Sequence, residues 1–241
     1  MDLTGAAAPK TSDFVAATDF LGQLEPPDRA SLMAIGQRRL VRKGGHVYRV
    51  GDAKRAVYAT LSGRLKFYKD APTGRDVILW FCFPGEVFGM AEVPPVKGRQ
   101  VNVQSCEDSE VLVIADDAFY AFLETHPRVA RLCLRAMSAR MGVLSNILVN
   151  LIADDAHTRI RRLILQLGAR YGTRVGREVR LHIPITHQDI ADMTGANRQT
   201  VTKILGELRR EGALSINHRR INIESTELLD SAIQNAVRSH R

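Results

Sequence analysis

The chain has 241 residues, of which 45% are hydrophobic, and a formal net charge of +8; this composition can build ordinary cores and argues against wholesale disorder. No apolar run approaches the roughly 18 residues that span a bilayer, the first residues lack the pattern of a secretory signal, and three scattered cysteines are too few for a disulfide framework. We therefore expect a cytoplasmic protein with no membrane partner.

The excess positive charge is concentrated in one segment. Between His157 and Arg220 there are 13 Arg and Lys residues against 5 Asp and Glu, a surplus of 8, while the rest of the chain holds 21 of each sign. A polyanion is the simplest partner, because neutralised phosphates release condensed counterions. A solvated basic face without a partner is the alternative at this stage.

The sequence predicts a disordered segment over residues 1–13 and then a β-rich domain over residues 14–126. Phe14 to Arg38 has helical spacing interrupted by Pro26-Pro27, which favours two short helices. From Leu40 to Ile114, short β-rich runs alternate with glycines, as in an antiparallel barrel or jelly roll. The predicted strands are Val47–Val50, Val57–Leu61, Leu65–Tyr68, Val77–Phe83, Val87–Phe88, Val101–Gln104 and Val111–Ile114.

A long helix is predicted over residues 127–154. Apolar residues step alternately by four and three positions, which is the heptad pattern of a coiled coil. The alternative is a helix packed only on its own sheet. We favour dimerisation, with Asp154-Asp155 as a hinge to the next domain. The predicted dimer contacts after Ala130 are Leu134, Met137, Met141, Leu144, Leu148 and Leu151.

Residues 155–241 contain the most specific motif, THQDIADMTGANRQTVTKILGELRREG, which begins at Thr186. Thr186 and Asp189 resemble a capping box that starts a helix. A turn containing Gly195 follows, Asn197 can cap a second helix, and Gly212 suits its C-terminal end. Two helices joined by a short glycine-containing turn predict a helix-turn-helix.

The second helix has an apolar arc and a basic, polar arc. Such a helix fits the major groove with its N-terminal residues nearest the bases. Arg198 can bind guanine O6 and N7, Gln199 can bind adenine or cytosine, and Lys203 can reach guanine or phosphate. A solvated basic face is again the alternative. The candidate DNA contacts on the two helices are Thr186, Gln188, Asn197, Arg198, Gln199, Thr200, Thr202 and Lys203.

A hairpin and a last helix follow. Ala213–Ile216 and Arg220–Ile223 alternate around Asn217-His218-Arg219, which predicts a wing whose tip, with Arg219, can touch phosphates. Ser225 to Arg241 predicts a terminal helix. The motifs HExxH, GxSxG and GxxxxGK are all absent from the sequence, so we do not expect an enzyme. A scaffold that uses its winged helix for protein contacts is the alternative function.

Taken in order, these pieces resemble the CRP–FNR family of bacterial transcription regulators from about Phe14 to Glu224, including the PGEVFG turn at Pro84–Gly89. The resemblance implies a cyclic-nucleotide-binding-like β-roll, a homodimer on an inverted-repeat promoter site, contact with RNA polymerase, and allosteric control by a small-molecule effector. Gln199 stands where the catabolite activator has Glu, and Lys203 where it has Arg. The preferred promoter sequence is therefore expected to differ.

The effector site implied by the resemblance departs from that of the family's cyclic-AMP binders. They have Glu directly after the glycine of the phosphate turn and an Arg-Ser pair for the phosphate, and a Thr-Ser pair contacts adenine. A cyclic nucleotide is possible, but we expect an effector other than cyclic AMP. The corresponding candidates here are Gly89, Met90, Glu92, Arg99, Gln100, Leu144 and Ser145.

Other sensor groups of the family can also be weighed. An iron–sulfur cluster needs four cysteine ligands, and the chain has three, so no cluster is expected. A haem would need only one or two ligands, such as His46, His126 or Cys82, yet a structural role is the more ordinary one for such residues. Cys106 and Cys133 are expected to be small buried hydrophobes, with thiol sensing left open.

Overall fold

The computed structural model describes residues 19–239 except 54, 73, 91–97, 182, 218 and 219. The segment predicted to be disordered, residues 1–13, lies outside this range. The described chain divides into two compact units, one up to Gly142 and one from Val143 onward.

The first unit consists mainly of strands with helices at its two ends. A 3-10 helix, Leu21–Gln23, precedes α1, Pro26–Ala34. Its strands are β1 Gln37–Val41, β2 His46–Tyr48, β3 Ala56–Ser62, β4 Leu65–Asp70, β5 Asp76–Cys82, β6 Val87–Phe88, β7 Asn102–Ser105 and β8 Ser109–Ala115. Then follow α2, Asp116–Thr125, and α3, Pro127–Ala153, whose last residues belong to the second unit.

The strands form two four-stranded antiparallel sheets, ordered β1-β8-β3-β6 and β2-β7-β4-β5. This confirms the predicted antiparallel β-roll. Aromatic side chains fill the space between the sheets, with Phe88 stacked on Tyr58 and edge-on to Phe67 at ring distances of 5.1 Å. A second core joins the outer face of the first sheet to the helices through residues such as Leu32, Phe119 and Cys133.

The structure corrects the prediction for residues 14–38 in two places. Pro26 and Pro27 do not break a helix but occupy its first positions, where the missing N–H costs nothing and φ is already helical. Gln37–Val41 is a strand paired with β8, whereas the helical spacing predicted from the sequence extends to Arg38. Its first four residues are exposed, so no alternation of apolar residues marked it as a strand.

The second unit contains the predicted helix-turn-helix and hairpin together with one hairpin that was not predicted. The elements are α4 Ala156–Tyr171, β9 Gly172–Val175, β10 Glu178–Leu181, α5 His187–Thr194, α6 Arg198–Arg210, β11 Leu214–Asn217, β12 Arg220–Ile223 and α7 Thr226–Ser239. Its strands form one antiparallel sheet in the order β11-β12-β10-β9. The core takes Ile164 from α4, Ile190 from α5 and Leu205 from α6.

Helix α3 is 27 residues long, and its heptad residues are exposed. Leu134, Met141 and Leu148 are 67%, 70% and 59% exposed, which is unusual for large apolar side chains in a folded chain. Among the described residues, α3 is also the one helix long and apolar enough to cross a membrane. That property is weak evidence for a membrane protein, since a seam that packs against another helix has the same composition.

Candidate nucleic-acid interface

Local capping contacts fix both helices of the helix-turn-helix. The Thr186 hydroxyl accepts the N–H of Asp189 at 3.0 Å, and the Asp189 carboxylate accepts the N–H of Thr186 at 2.9 Å, which completes the predicted capping box. The Asn197 side chain accepts the N–H of Thr200 at 2.7 Å. Gly195, at the turn, has φ +68°, a left-handed conformation that favours glycine.

Helix α6 separates its apolar and polar residues as predicted. Val201, Ile204, Leu205 and Leu208 are buried. Gly206 and Thr200 are half-buried, and the exposed members of the polar arc are Arg198, Gln199, Thr202, Lys203, Arg209 and Arg210. One open groove is lined by Asn197, Arg198, Gln199, Thr202 and Lys203, so the structure brings five of the candidate DNA contacts together.

The other candidates lie close to this groove or outside the described residues. Thr186 and Gln188 are exposed at the start of α5. Both line a second cavity of about 440 Å³ that also involves Arg198 and the hairpin residues Ile216 and Ile221. Arg219, at the predicted wing tip, lies outside the described residues.

His187 was missed as a member of this surface. Its Nδ1 lies 2.8 Å from the Thr202 hydroxyl, which itself donates to the Arg198 carbonyl oxygen. Because the hydroxyl proton is already used, His187 donates from Nδ1. Burial, and then the charge of Arg198, lower the pKa of His187. The residue therefore ties the start of α5 to the exposed face of α6, and only the three-dimensional structure shows this pairing.

Helix α4 holds α6 through a hydrogen bond and an ion pair. His157 Nε2 lies 2.7 Å from Glu207 Oε2, and this hydrogen bond lowers the pKa of Glu207. One turn further on, Arg161 lies 2.8 Å from Glu211, and the arginine side chain is only 7% exposed. The matched spacing of four residues on both helices is a signal in the sequence that could have revealed this contact.

The junction between α3 and α4 is held by several polar contacts. Asp154 accepts from Arg162 at 2.6 Å, and Asp155 caps α4 through the N–H of Thr158 at 2.8 Å. Arg159 donates to the carbonyl oxygens of Asp154 and Thr194, at 2.7 and 2.8 Å. These contacts link the end of α3 to the turn of the helix-turn-helix. The predicted hinge at Asp154-Asp155 stays a prediction.

In the β-roll, Arg99 is a buried residue and not a surface arginine on a loop. Its guanidinium donates to the carbonyl oxygens of Gly89 and Ala56 and lies 4.3 Å from the centre of the Tyr48 ring. Only 3% of Arg99 is exposed. Its side chain thus serves backbone carbonyls and an aromatic ring, where the family's cyclic-AMP binders use Arg for a phosphate.

The remaining effector candidates offer no acid in the described part of the chain. Met90, at the position of the family's glutamate, is buried. Gln100 is exposed and donates to the Gly98 carbonyl oxygen at 3.2 Å. Leu144 and Ser145 are exposed on α3, and Glu92 lies outside the described residues. Among the candidates that the structure describes, none carries a carboxylate that could accept a ribose hydroxyl.

The alternative sensor residues have ordinary structural partners. Cys82 is fully buried with its sulfur 3.4 Å from the Thr60 hydroxyl, and His46 Nε2 lies 2.9 Å from the Tyr68 hydroxyl. Burial raises the pKa of Cys133 to about 12, which keeps it an unreactive thiol. Cys106 is half-buried, which corrects its predicted burial. Within the described ranges, no three His, Cys, Asp or Glu residues are grouped as metal ligands.

Comparison with known proteins matches both units. The model of the Crp-like helix-turn-helix domain matches residues 158–232, and that of the cyclic nucleotide-binding domain matches residues 38–126. A CRP-like cAMP-activated global transcriptional regulator of Mycobacterium tuberculosis is 27% identical over 78% of this chain and 84% of its own. The cyclic AMP receptor protein of Thermus thermophilus is 26% identical over 86% of this chain and 93% of its own.

Solved structures show the same fold. A CooA mutant from Carboxydothermus hydrogenoformans superimposes with a TM-score of 0.75 at 20% identity, over 84% of this chain and 89% of its own. FixK2 from Bradyrhizobium japonicum gives 0.71 at 21% identity, over 82% and 96%. A β-roll followed by a winged helix-turn-helix defines a DNA-binding transcription regulator. Within that class, the chain belongs to the CRP–FNR family.

Proposed function

We propose that the protein acts as a homodimer that binds an inverted-repeat promoter site through two copies of α6. The observation that carries the proposal is the exposed arc of α6, which has long hydrogen-bonding side chains and an N-terminus fixed by Asn197. Thr186, Gln188, Thr200 and Thr202 would contact the DNA beside Arg198, Gln199 and Lys203, with Arg219 on a phosphate.

The dimer interface in this proposal is the exposed seam of α3. The residues Leu134, Met137, Met141, Leu144, Leu148 and Leu151 are each at least 37% exposed. Pairing two seams would remove this apolar surface from water, which is the main driving force of such association. A symmetric pair would also place the two recognition helices on half-sites about one helical turn apart.

We further propose that a signal in the β-roll controls DNA binding and that the effector is not cyclic AMP. The regulator would work in the cytoplasm and contact RNA polymerase. The inward contacts of Arg99 and the apolar Met90 support the second point. The relatives are transcription regulators and not enzymes, which supports a role without catalysis. An effector must bind one conformation more tightly than the other to have any effect.

Gel-shift titration of the full chain against genomic fragments tests the proposal. At roughly 0.15 M salt, where nonspecific phosphate contacts are weakened, we expect a few fragments to be retained at concentrations that leave the rest free. Retention of no fragment would favour the alternative of a scaffold that uses its winged helix for protein contacts, and equal retention of all fragments would show only nonspecific phosphate binding. Isothermal titration with cyclic AMP should give no heat of binding if its phosphate has no site.

A further inference from the structure

The first half of α3 has a third face, apart from the one that is buried against the β-roll and from the seam. Val129, Cys133 and Ala136 are buried against the β-roll, and the seam residues are exposed. At about 100° per residue, Arg128, Arg131 and Arg135 lie within about 60° of one another and about 120° from the seam. This third face would therefore remain accessible in a dimer formed through the seam.

The three arginines line a cavity of about 300 Å³, together with Leu132 and with Gln23 from the 3-10 helix. We call this cavity the arginine groove. Arg128 pairs with Glu25 at 2.7 Å, and both side chains are more than half exposed. Arg131 and Arg135 are exposed, and the described part of the chain offers neither of them an acidic partner within ion-pair distance. Helix α3 itself contains no Asp or Glu, so no pair within the helix can form.

The lining of the arginine groove indicates the chemistry of its partner. Guanidinium groups bind carboxylates in a bidentate geometry. Arg131 and Arg135 are one helical turn apart, about 6 Å along the axis, and side chains at alternate positions of an extended chain are about 6.6 Å apart. Leu132 adds an apolar contact on the same face. An extended segment with acidic residues at alternate positions matches both the charge and the spacing.

We propose that the arginine groove binds an acidic, extended segment of a partner protein. Arg131 and Arg135 each hold one carboxylate of the segment, while Arg128 is already partly neutralised by Glu25. The lining residues of the groove all lie in the first unit, and none of them is a candidate DNA contact. The groove gives the regulator a surface for a second macromolecule in addition to DNA.

Fluorescence anisotropy with a labelled heptapeptide, in which three glutamates alternate with serines, tests this on the full chain at low salt. The double substitution Arg131→Glu/Arg135→Glu should weaken peptide binding by about tenfold or more, because two attractive pairs become repulsive. The matched control Arg209→Glu/Arg210→Glu changes the net charge equally at exposed positions of α6, and should weaken peptide binding less than about twofold by the same reasoning. Equal losses in both variants, or no saturable binding to the unmodified chain, would overturn the proposal.

Two further measurements identify the occupant. A peptide with the same composition but three consecutive glutamates should bind several-fold more weakly, and equal binding would refute the spacing argument. Pyrophosphate that binds more tightly than the alternating peptide would show a phosphate site instead of a peptide site.

The milder variant Arg131→Gln/Arg135→Gln should also lose the peptide while keeping its DNA affinity, which excludes a folding defect as the cause.

Discussion

Arg198 opens α6 with an exposed side chain next to the fixed N-terminal turn. An arginine in that position can hold guanine O6 and N7 together. We expect Arg198→Ala to cost about 1–3 kcal/mol of binding to the preferred site and to relax the preference at one base pair. Gel shifts with the preferred site and with random DNA measure this; an equal loss on both would mean that Arg198 contacts only phosphate.

Asn197 contributes to the stability of α6 through its capping hydrogen bond of 2.7 Å to Thr200. Asn197→Ala should lower the free energy of unfolding by about 0.5–2 kcal/mol, because a backbone N–H loses its partner. Urea unfolding measures the change. Gln199→Ala, at the neighbouring exposed position, is the matched control and should stay within about 0.5 kcal/mol of the unsubstituted protein. If the two variants are equally stable, the cap contributes nothing.

His187 predicts a pH dependence of stability. Burial lowers its pKa below the ordinary value of 6.5, so the unfolded chain takes up this proton more readily than the folded chain as the pH falls below 6.5. Stability contributed by neutral His187 is therefore present above that pH and decreases below it. The melting-temperature advantage of the unsubstituted protein over His187→Gln should shrink between pH 7.5 and pH 5.5. An advantage that is constant or grows on acidification would contradict this sign.

At the residue scale, sequence reasoning succeeded where the deciding contacts are local. The caps of Thr186 and Asn197 and the left-handed Gly195 depend on neighbours within three positions, so their pattern is visible in the chain. The burial of Arg99 depends on the carbonyl oxygens of Gly89 and Ala56, ten and 43 positions away. Such partners become adjacent only after the sheets pair, and no local pattern indicates them.

At the scale of the element, the seam of α3 makes the clearest prediction. Leu148→Glu would place a charge within the apolar seam of the proposed dimer, where it would be desolvated without a partner. We expect the dimer to dissociate at micromolar concentration, which light scattering after size exclusion measures directly. Arg135→Glu lies on another face of α3 and should leave the dimer intact. A dimer that survives Leu148→Glu would show that the interface lies elsewhere.

A helix or strand could be predicted from the sequence where one of its faces is strongly buried, because burial leaves a pattern of apolar residues. Strand β3 has five consecutive buried residues, and its run of apolar residues predicts a strand. Strands β1 and β9 are mostly exposed, so their residues carry no alternation, and pairing with β8 and β10 determines their conformation. Strand β9 therefore could not be predicted from the sequence, although Gly176, with φ +64°, lies in the turn between β9 and β10.

At the scale of the molecule, the chain combines a β-roll unit, in which Arg99 is buried, with a DNA-binding unit, in which α4 holds α6. Family resemblance predicted both units correctly, because the pattern of each is confined to a continuous stretch of chain. The effector could not be predicted, since the groups around Arg99 come from parts of the chain that are distant in sequence. The proposed function at this scale depends on two copies acting together on one DNA.

Selection of bound duplexes from a randomised DNA library, with the full chain at about 0.15 M salt, tests this most directly. The account predicts enrichment of an inverted repeat whose half-sites are about 10 base pairs apart, bound by two chains for each duplex. Arg198→Ala should select a repeat with one relaxed position in each half. A single unpaired half-site, or a library that shows no enriched sequence, would contradict the account.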